Sequence, residues 1–378
     1  MIYLDYAATT PMNEHALQVY TEVSQRFFGN SNSLHDAGTT SKALLEQCKE
    51  ELAKLIHGQS RGIFFTSGGS ESNVLAVKSL LHAANAKGNH IITTRMEHSS
   101  LINYFDYLKT DCGYEITYLP VDQTGVVNIH QLNESICDET VLVSIQHANS
   151  EIGAVQPLEE IGQLLHNKGI LFHSDCVQTF CKLPIQVESF YLDSVSISSH
   201  KIYGPKGVGA IYLHPSLNLS KYISNIRPGT MDVPGIAAFV SASQQETHNM
   251  EQEQQRLSRI RQQFVDQIKK RRLNVEIIQC NQQLPNIIGL FVNNMQGDYS
   301  MLEFNRNGIA VSTGSACTVG QQEPSKTLLA IGKSPERAKQ FIRLSLGKQT
   351  TSEQMDRVVN VCESIIQSNQ KKGLTTNV

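Results

Sequence analysis

Five short segments of the chain carry residues that could act together on a small molecule: Ser67-Gly68-Gly69-Ser70, Glu97-His98, Asn149-Ser150, Asp175 with Gln178, and Ser198-Ser199-His200-Lys201. Each residue type has a chemical use. A Gly-Gly-Ser turn that opens a helix leaves backbone N–H groups free, and the helix dipole favours an anion there, so the turn suits a phosphate. Lys201 sits among small residues, with Gly204 and Gly207 close behind it. Such a lysine can shed water, lose its proton and become an amine nucleophile. Asp175 could pair with a protonated ring nitrogen of a cofactor. His98 could move protons. Taken singly, each has a plainer use: a helix cap for the Gly-Gly-Ser turn, for Asp175 and for His98, and a surface charge for Lys201. Together, a phosphate cradle, an amine, an acid and an imidazole fit pyridoxal phosphate.

The elements that must position these residues alternate in type. Strand-like runs cover Gly62–Thr66, His90–Thr94, Thr140–Ile145, Gly169–Asp175 and Ser194–Ser198, and Val208–Leu213 is expected to add an edge strand. A helix is expected over Glu71–Leu81, from apolar residues at Val74, Leu75, Val77, Leu80 and Leu81. Alternating β and α elements predict a mostly parallel sheet with helices on both faces, an α/β fold whose ligands bind outside the carboxyl ends of the strands. Each of the five segments follows such an end. From Gln245 to Arg272 a Gln- and charge-rich stretch reads as a long, solvated connecting helix. Strands at Val275–Gln279, Asn286–Val292, Ile309–Val311 and Phe341–Leu346, with helices near Ser300–Asn307 and Ser352–Gln367, predict a smaller α+β region, and the polar tail Lys371–Val378 is expected to fray. The expected division is a large cofactor-binding domain over 14–255 and a small domain over 256–378 joined by 1–13.

Composition excludes several classes. The 378 residues include 40% hydrophobic types and carry a net charge of −3, so no strong field steers the chain to nucleic acid or lipid. No apolar run reaches the roughly 18–20 residues that span a bilayer, and the first residues do not resemble a signal peptide. The eight cysteines are scattered without a C-x-x-C, which argues against a disulfide framework or a zinc site and for the reducing cytoplasm. No metal is expected. Gly204-Pro205-Lys206-Gly207-Val208-Gly209 has dinucleotide-loop spacing but precedes a strand, and no phosphate-binding G-x-x-x-x-G-K-[ST] occurs.

Longer motifs around the same residues resemble the cysteine desulfurases of the NifS/IscS type, pyridoxal-phosphate enzymes of fold type I in the class V aminotransferase family. The matching stretches are Tyr3-Leu4-Asp5-Tyr6-Ala7-Ala8-Thr9-Thr10-Pro11, Phe28-Gly29-Asn30, Phe65 to Asn73, Glu97-His98, His173 to Gln178, Ser199 to Gly207, Gly314-Ser315-Ala316-Cys317-Thr318 and Ile342 to Gly347. The resemblance runs from Tyr3 to about Arg357. It implies that Lys201 holds pyridoxal 5'-phosphate, that His98 stacks on its ring and assists proton transfer, that Asp175 holds the ring nitrogen and Gln178 the ring hydroxyl. Gly69, Ser70, Ser198 and His200 would hold the phosphate, Thr230 would reach the phosphate of the partner subunit in a homodimer, and Arg343 would pair with the carboxylate of L-cysteine. Cys317 would be the nucleophile that takes the sulfur as a persulfide and hands it to an acceptor or scaffold protein, with iron–sulfur cluster assembly as the expected destination and a single client in NAD synthesis as an alternative.

Two features depart from that pattern. Asn149-Ser150-Glu151 stands where the family has Asn-Asn-Glu, so either Asn149 or Ser150 would contact the cofactor or substrate. The Gly-Gly-rich piece before Arg227 is missing, which predicts a short loop after Leu213 and a more open rim or an altered subunit contact. Another class V enzyme, such as a selenocysteine lyase or an aminotransferase, and a non-catalytic scaffold of the same fold are the alternatives; Cys317 with Lys201 argues against both.

Overall fold

The computed structural model describes residues 1–84, 87–226, 229–314 and 324–375. The first strand, β1 (Ile2–Tyr3), is followed by helices at Glu14–Arg26 and Asp36–Leu55. A seven-stranded sheet then forms from β2 (Ile63–Thr66), β3 (His90–Thr94), β4 (Glu115–Leu119), β5 (Thr140–Ser144), β6 (Leu171–Asp175), β7 (Ser194–Ser198) and β8 (Gly209–Leu213), in the order β2-β8-β7-β6-β5-β3-β4. All neighbours are parallel except those of β8, which runs antiparallel to both β2 and β7.

The expectation that Val208–Leu213 lies at an edge is therefore wrong. β2 pairs outside it and takes the edge, and residues Gly209–Leu213 are buried on both faces. β4 takes the other edge. Its half-exposed Glu115-Ile116-Thr117-Tyr118 gives little apolar signal in the sequence.

Both faces of the sheet are covered, and the strands show it residue by residue. Ile92, Val143, Phe172 and Tyr212 pack into one core with the helices Glu14–Arg26, Asp36–Leu55, Leu158–Lys168 and Val233–His248. Their chain neighbours Ile91, Leu142, Leu171 and Ile211 pack into another with Gly69–Ala84 and Ser99–Asp111. The period of two splits each strand between two cores, which is why these strands read as continuous apolar runs.

A second sheet, in the order β12-β10-β9, is antiparallel throughout and comprises β9 (Val275–Ile277), β10 (Ile287–Val292) and β12 (Phe341–Ser345). β11 (Ile309–Ala310) pairs in parallel with β1, so the N-terminal strand joins the C-terminal part of the chain.

Three further expectations change. The stretch from Gln245 to Arg272 is two helices, Val233–His248 and Met250–Lys270, which part at Asn249. The second is not merely solvated. Leu257, Ile260, Phe264 and Ile268 recur at helical spacing and are buried against the second sheet. The segment after Leu213 is not a bare loop. It holds a 3-10 turn, Pro215–Leu217, and a helix, Ser220–Ile226, whose Ile223 is buried and whose Tyr222 stacks on His82 with ring centroids 3.9 Å apart. Finally, the last helix, Ser352–Thr375, runs into the polar tail past Gly373, and residues 376–378 of that tail lie outside the described residues.

Candidate active site

Because β2, β3, β5, β6 and β7 run the same way, their carboxyl ends meet at one margin of the sheet. There the chain places the Gly68-Gly69 turn, His98, Asn149, Asp175 and Ser198 through Lys201.

Ser194, Ser196 and Ser198 share one face of β7 and are fully buried. Their small side chains let the helix Gly69–Ala84 cross close above. The Gly68 backbone, at φ +147°, bends into that helix in a conformation that favours glycine. A Cβ on Gly68 would sit 3.9 Å from Ser198 Oγ, so the turn lies directly over that hydroxyl. Ser198 Oγ is buried without a partner.

Lys201 leaves the end of β7 through a short 3-10 turn. Its Nζ donates to the carbonyls of Ala7 and Ala8, at 2.5 and 2.7 Å. Burial, helped by the charges of Arg343 and Lys182, lowers its pKa from the ordinary value to about 7. Gln178 donates through Nε2 to the same Ala7 carbonyl at 3.1 Å, while its Oε1 is buried and unpartnered. The N-terminal segment is thus the floor of the site. The motif Tyr3–Pro11 assigns no role to these two carbonyls, because a backbone oxygen carries no residue-type signal.

Asp175 ends β6. Its Oδ1 accepts from the Val177 N–H at 2.9 Å, and its Oδ2 from Asn73 Nδ2 at 2.7 Å. His98 caps the helix Ser99–Asp111, with Nδ1 accepting from the Ser100 N–H. Its ring stands at the open mouth, yet the surrounding protein lowers its pKa by desolvation; the Asp175 charge opposes this and the Lys201 charge adds to it. Glu97, beside it, is buried and its pKa is pushed up to about 8 by desolvation. His200 turns Nδ1 to Thr9 Oγ1 at 3.1 Å, and burial lowers its pKa to about 4.

Arg343 enters from β12 in the second sheet and is 3% exposed. Its Nη2 meets Asp5 Oδ1 at 2.7 Å and its Nη1 the Ser150 carbonyl at 3.1 Å, while Nε is buried without a partner. Asn149 faces inward but is fully committed to the protein. Its Nδ2 donates to Met96 O and Thr327 Oγ1, and its Oδ1 accepts from the N–H groups of Glu151 and Ile152. Thr230 lies apart from the others, exposed, with Oγ1 accepting from Asn30 Nδ2 at 3.5 Å. Cys317 lies outside the described residues.

A family model for aminotransferase class-V matches residues 2–358. The chain belongs to this family. Among class-V relatives, a protein named "Putative cysteine desulfurase NifS" from Bacillus subtilis (strain 168) is 46% identical over 382 residues, covering 99% of this chain and 96% of its own. "Cysteine desulfurase IscS" of Dictyoglomus turgidum is 38% identical over 97% of this chain and 94% of its own. A solved structure named "NIFS-LIKE PROTEIN" superposes with a TM-score of 0.87 at 29% identity, covering 97% of this chain and 99% of its own. The α/β architecture is thus the class-V fold, fold type I, as the sequence predicts.

The residues of this class-V chain fit pyridoxal 5'-phosphate. The free N–H groups at Gly69-Ser70 head a helix of 16 residues, and the orphaned Ser198 hydroxyl beside them offers a further donor to a phosphate. The orphaned Gln178 Oε1 can accept from a ring hydroxyl, the Asp175 carboxylate can pair with a ring N–H, and Lys201 is an amine with a lowered pKa. Among the described residues no cluster of side chains is arranged to hold a metal ion.

Proposed function

We propose that this chain is a cysteine desulfurase: it removes sulfur from L-cysteine, releases L-alanine and holds the sulfur as a persulfide on Cys317 for an acceptor protein. The observation that carries this reading is the convergence of a lowered-pKa lysine, Lys201, with a buried guanidinium, Arg343, across one site. One suits an amine-bearing carbon and the other a carboxylate, the two ends of an α-amino acid.

Gly69, Ser70, Ser198 and His200 would hold the cofactor phosphate, with Asp175 and Gln178 on the ring and Lys201 on its carbonyl carbon. Asn149, occupied by the protein, would shape the wall, and Ser150 is the freer of the two candidates there. When bound, pyridoxal 5'-phosphate supplies an electron sink that makes the substrate Cα–H acidic. Arg343 orients the substrate through its carboxylate, a planar two-point match. Lys201, neutral above about pH 7, accepts the Cα proton. His98 carries protons at the mouth. The Cys317 thiolate attacks the substrate sulfur; the new S–S bond forms as the C–S bond breaks, and the product carbon takes up a proton to become alanine.

Two observations support Cys317 as that thiol. Burial pushes the pKa of Cys48, Cys176, Cys181 and Cys362 up to about 12 and that of Cys280 to about 11, so these thiols pack rather than react. The exposed Cys112 and Cys137 precede β4 and β5, at the amino ends of strands and away from the site. Gly314 and Ser325, on either side of Cys317 in the sequence, also both lie beside Glu151. A Cβ on Gly314 would lie 2.8 Å from Glu151 Oε2, and Ser325 Oγ donates to the same atom at 2.5 Å. Glu151 follows Ser150, whose carbonyl accepts from Arg343 Nη1.

The solved relative "SspA in complex with cysteine", 30% identical with a TM-score of 0.80, is consistent with this substrate. Iron–sulfur cluster assembly in the cytoplasm, a homodimer in which Thr230 reaches across to the partner's phosphate, and a division into 14–255 and 256–378 with 1–13 belong to the same proposal. The pairing of β1 with β11 supports that division. No helix of the described residues is long and apolar enough to cross a membrane.

The test is cysteine-dependent release of sulfide and alanine by the protein supplied with pyridoxal 5'-phosphate and a reductant. Product from the wild type and none from Cys317→Ala is the expected result. Absence of both products from the wild type overturns the reading; unchanged sulfide from Cys317→Ala overturns the persulfide route.

A further inference from the structure

His98 and Asp175 come from different strand ends and do not touch, yet two polar side chains connect them. Asn73 lies in the second turn of the helix Gly69–Ala84 and is 1% exposed. Its Nδ2 donates to Asp175 Oδ2 at 2.7 Å and to Ser100 Oγ at 3.2 Å. The amide nitrogen has two hydrogens, one for each acceptor. The reverse orientation would aim a carbonyl oxygen at a carboxylate, so the Asp175 charge dictates which way the amide points. Asn73 Oδ1 is left buried with no partner, which shows that the bonds through Nδ2 govern its placement.

Ser100 carries the constraint onward. Its Oγ accepts from Asn73, so its own hydrogen is directed at the acceptor on its other side, His98 Nδ1 at 2.8 Å. The Ser100 N–H points at the same nitrogen at 3.2 Å. Nδ1 must therefore present its lone pair, and the proton of the neutral ring sits on Nε2.

We propose that Asn73 and Ser100 are positioning residues that lock His98 in its Nε2–H tautomer and tie the ring's orientation to the Asp175 carboxylate. This rests on the reading of His98 and Asp175 as working groups of the site. Two charges face His98 from the neighbouring elements, Asp175 from β6 and Lys201 from the end of β7, and they act on it in opposite directions. Desolvation is the largest effect and disfavours the charged ring; the hydroxyl on Nδ1 fixes the tautomer and adds to that preference for the neutral form. A hydrogen bond donated to the neutral ring favours the neutral form, so its removal raises the protonation midpoint.

The test uses the full chain loaded with pyridoxal 5'-phosphate and labelled with ¹⁵N-histidine; the His98 signals are those lost in His98→Gln. In the wild type, Nδ1 should show the shift of an acceptor nitrogen and Nε2 that of a protonated one. Ser100→Ala should raise the His98 midpoint by about half to one pH unit, the equivalent of one net hydrogen bond, and Ser100→Thr should restore it. Asn73→Ala should raise it less, because the Ser100 hydroxyl remains but is no longer aimed. A proton on Nδ1 in the wild type, or midpoints unmoved in both alanine variants, or Ser100→Thr behaving as Ser100→Ala, overturns the proposal. None of these readouts requires turnover, so a wild type that releases no sulfide would sink the desulfurase reading and leave this one standing.

Discussion

The two walls of the site treat positive charge in opposite ways. On the wall built by the seven-stranded sheet, burial pushes every potential cation toward its neutral form: Lys201 to about 7, His200 to about 4, and His98 below its ordinary value. On the wall built by β12, Arg343 is more deeply buried than any of these, yet a guanidinium does not deprotonate in proteins. There the fold supplies a counter-charge, Asp5 at 2.7 Å, and leaves one N–H edge unpartnered. The difference teaches that the same low-polarity surroundings make proton acceptors from lysine and histidine and a fixed anchor from arginine. An amino acid lying between the walls meets proton chemistry at one end and charge recognition at the other.

Removing the group at the centre of the first wall should have the largest effect. Lys201→Ala should lower kcat/KM for cysteine by about a thousandfold or more, since it removes both the attachment and the base. The contrast between walls can be measured without turnover. Competitive acetylation of the unloaded protein, read by mass spectrometry, should find Lys201 reactive with a midpoint near pH 7, where ordinary lysines react only near their pKa of about 10.4. A midpoint near 10 would show that the wall does not neutralise its cation. On the second wall, Arg343→Lys keeps the charge and loses the planar fork. It should raise KM for cysteine by about 10–100-fold while kcat changes little, as expected when charge-assisted bonds worth about 1.5–3 kcal/mol are lost. A loss confined to kcat would place Arg343 elsewhere in the reaction.

How much of this was legible beforehand differs between the walls for a physical reason. The first wall is made at the ends of parallel strands, and strand ends can be read from apolar runs followed by polar residues. Lys201, Asp175, His98 and Ser198 are legible that way. The second wall depends on pairings between segments more than 300 residues apart, such as Arg343 with Asp5 and β1 with β11. No local periodicity records such a pairing. The Ala7 and Ala8 carbonyls under Lys201 were invisible for the same reason, since backbone oxygens carry no residue-type signal. The position of β8 is illegible for a different reason: a strand's place in the sheet depends on what pairs outside it, and β2 does so from more than 140 residues earlier.

A smaller effect should come from beneath the phosphate cradle. Gly209 opens β8, and a Cβ there would lie 2.7 Å from Gly68 Cα and 2.8 Å from the Ile197 carbonyl, both backbone atoms. This explains the last glycine of the run Gly204 to Gly209, which resembles a nucleotide loop but serves close packing. Gly209→Ala should push the Gly68-Gly69 turn off Ser198, weaken cofactor binding by about tenfold and cost about 1–3 kcal/mol of stability, as overpacking does. Equilibrium dialysis of pyridoxal 5'-phosphate with a denaturant titration checks it, and unchanged affinity would mean that the turn does not hold the phosphate.

The smallest effect should lie at Glu97, an acid on the wall that neutralises cations. Desolvation dominates there. The bonds from Thr94 Oγ1 and the Gln146 N–H stabilise its charged form but do not outweigh burial, and the Asp175 charge adds to the upward shift. With a folded pKa of about 8 against an ordinary value near 4.5, the folded chain holds a proton that the unfolded chain releases between those limits. The stability contributed by that proton is complete below about pH 4.5 and is lost as the pH rises through 8. Glu97→Gln, which is neutral at every pH, should therefore resemble the wild type at acid pH and gain on it toward pH 9, by about 2–4 °C in Tm. Thermal unfolding of both proteins at pH 6 and pH 9 decides the matter. A constant difference between them would mean that Glu97 is already ionised, and that the first wall neutralises cations without doing the same to an acid.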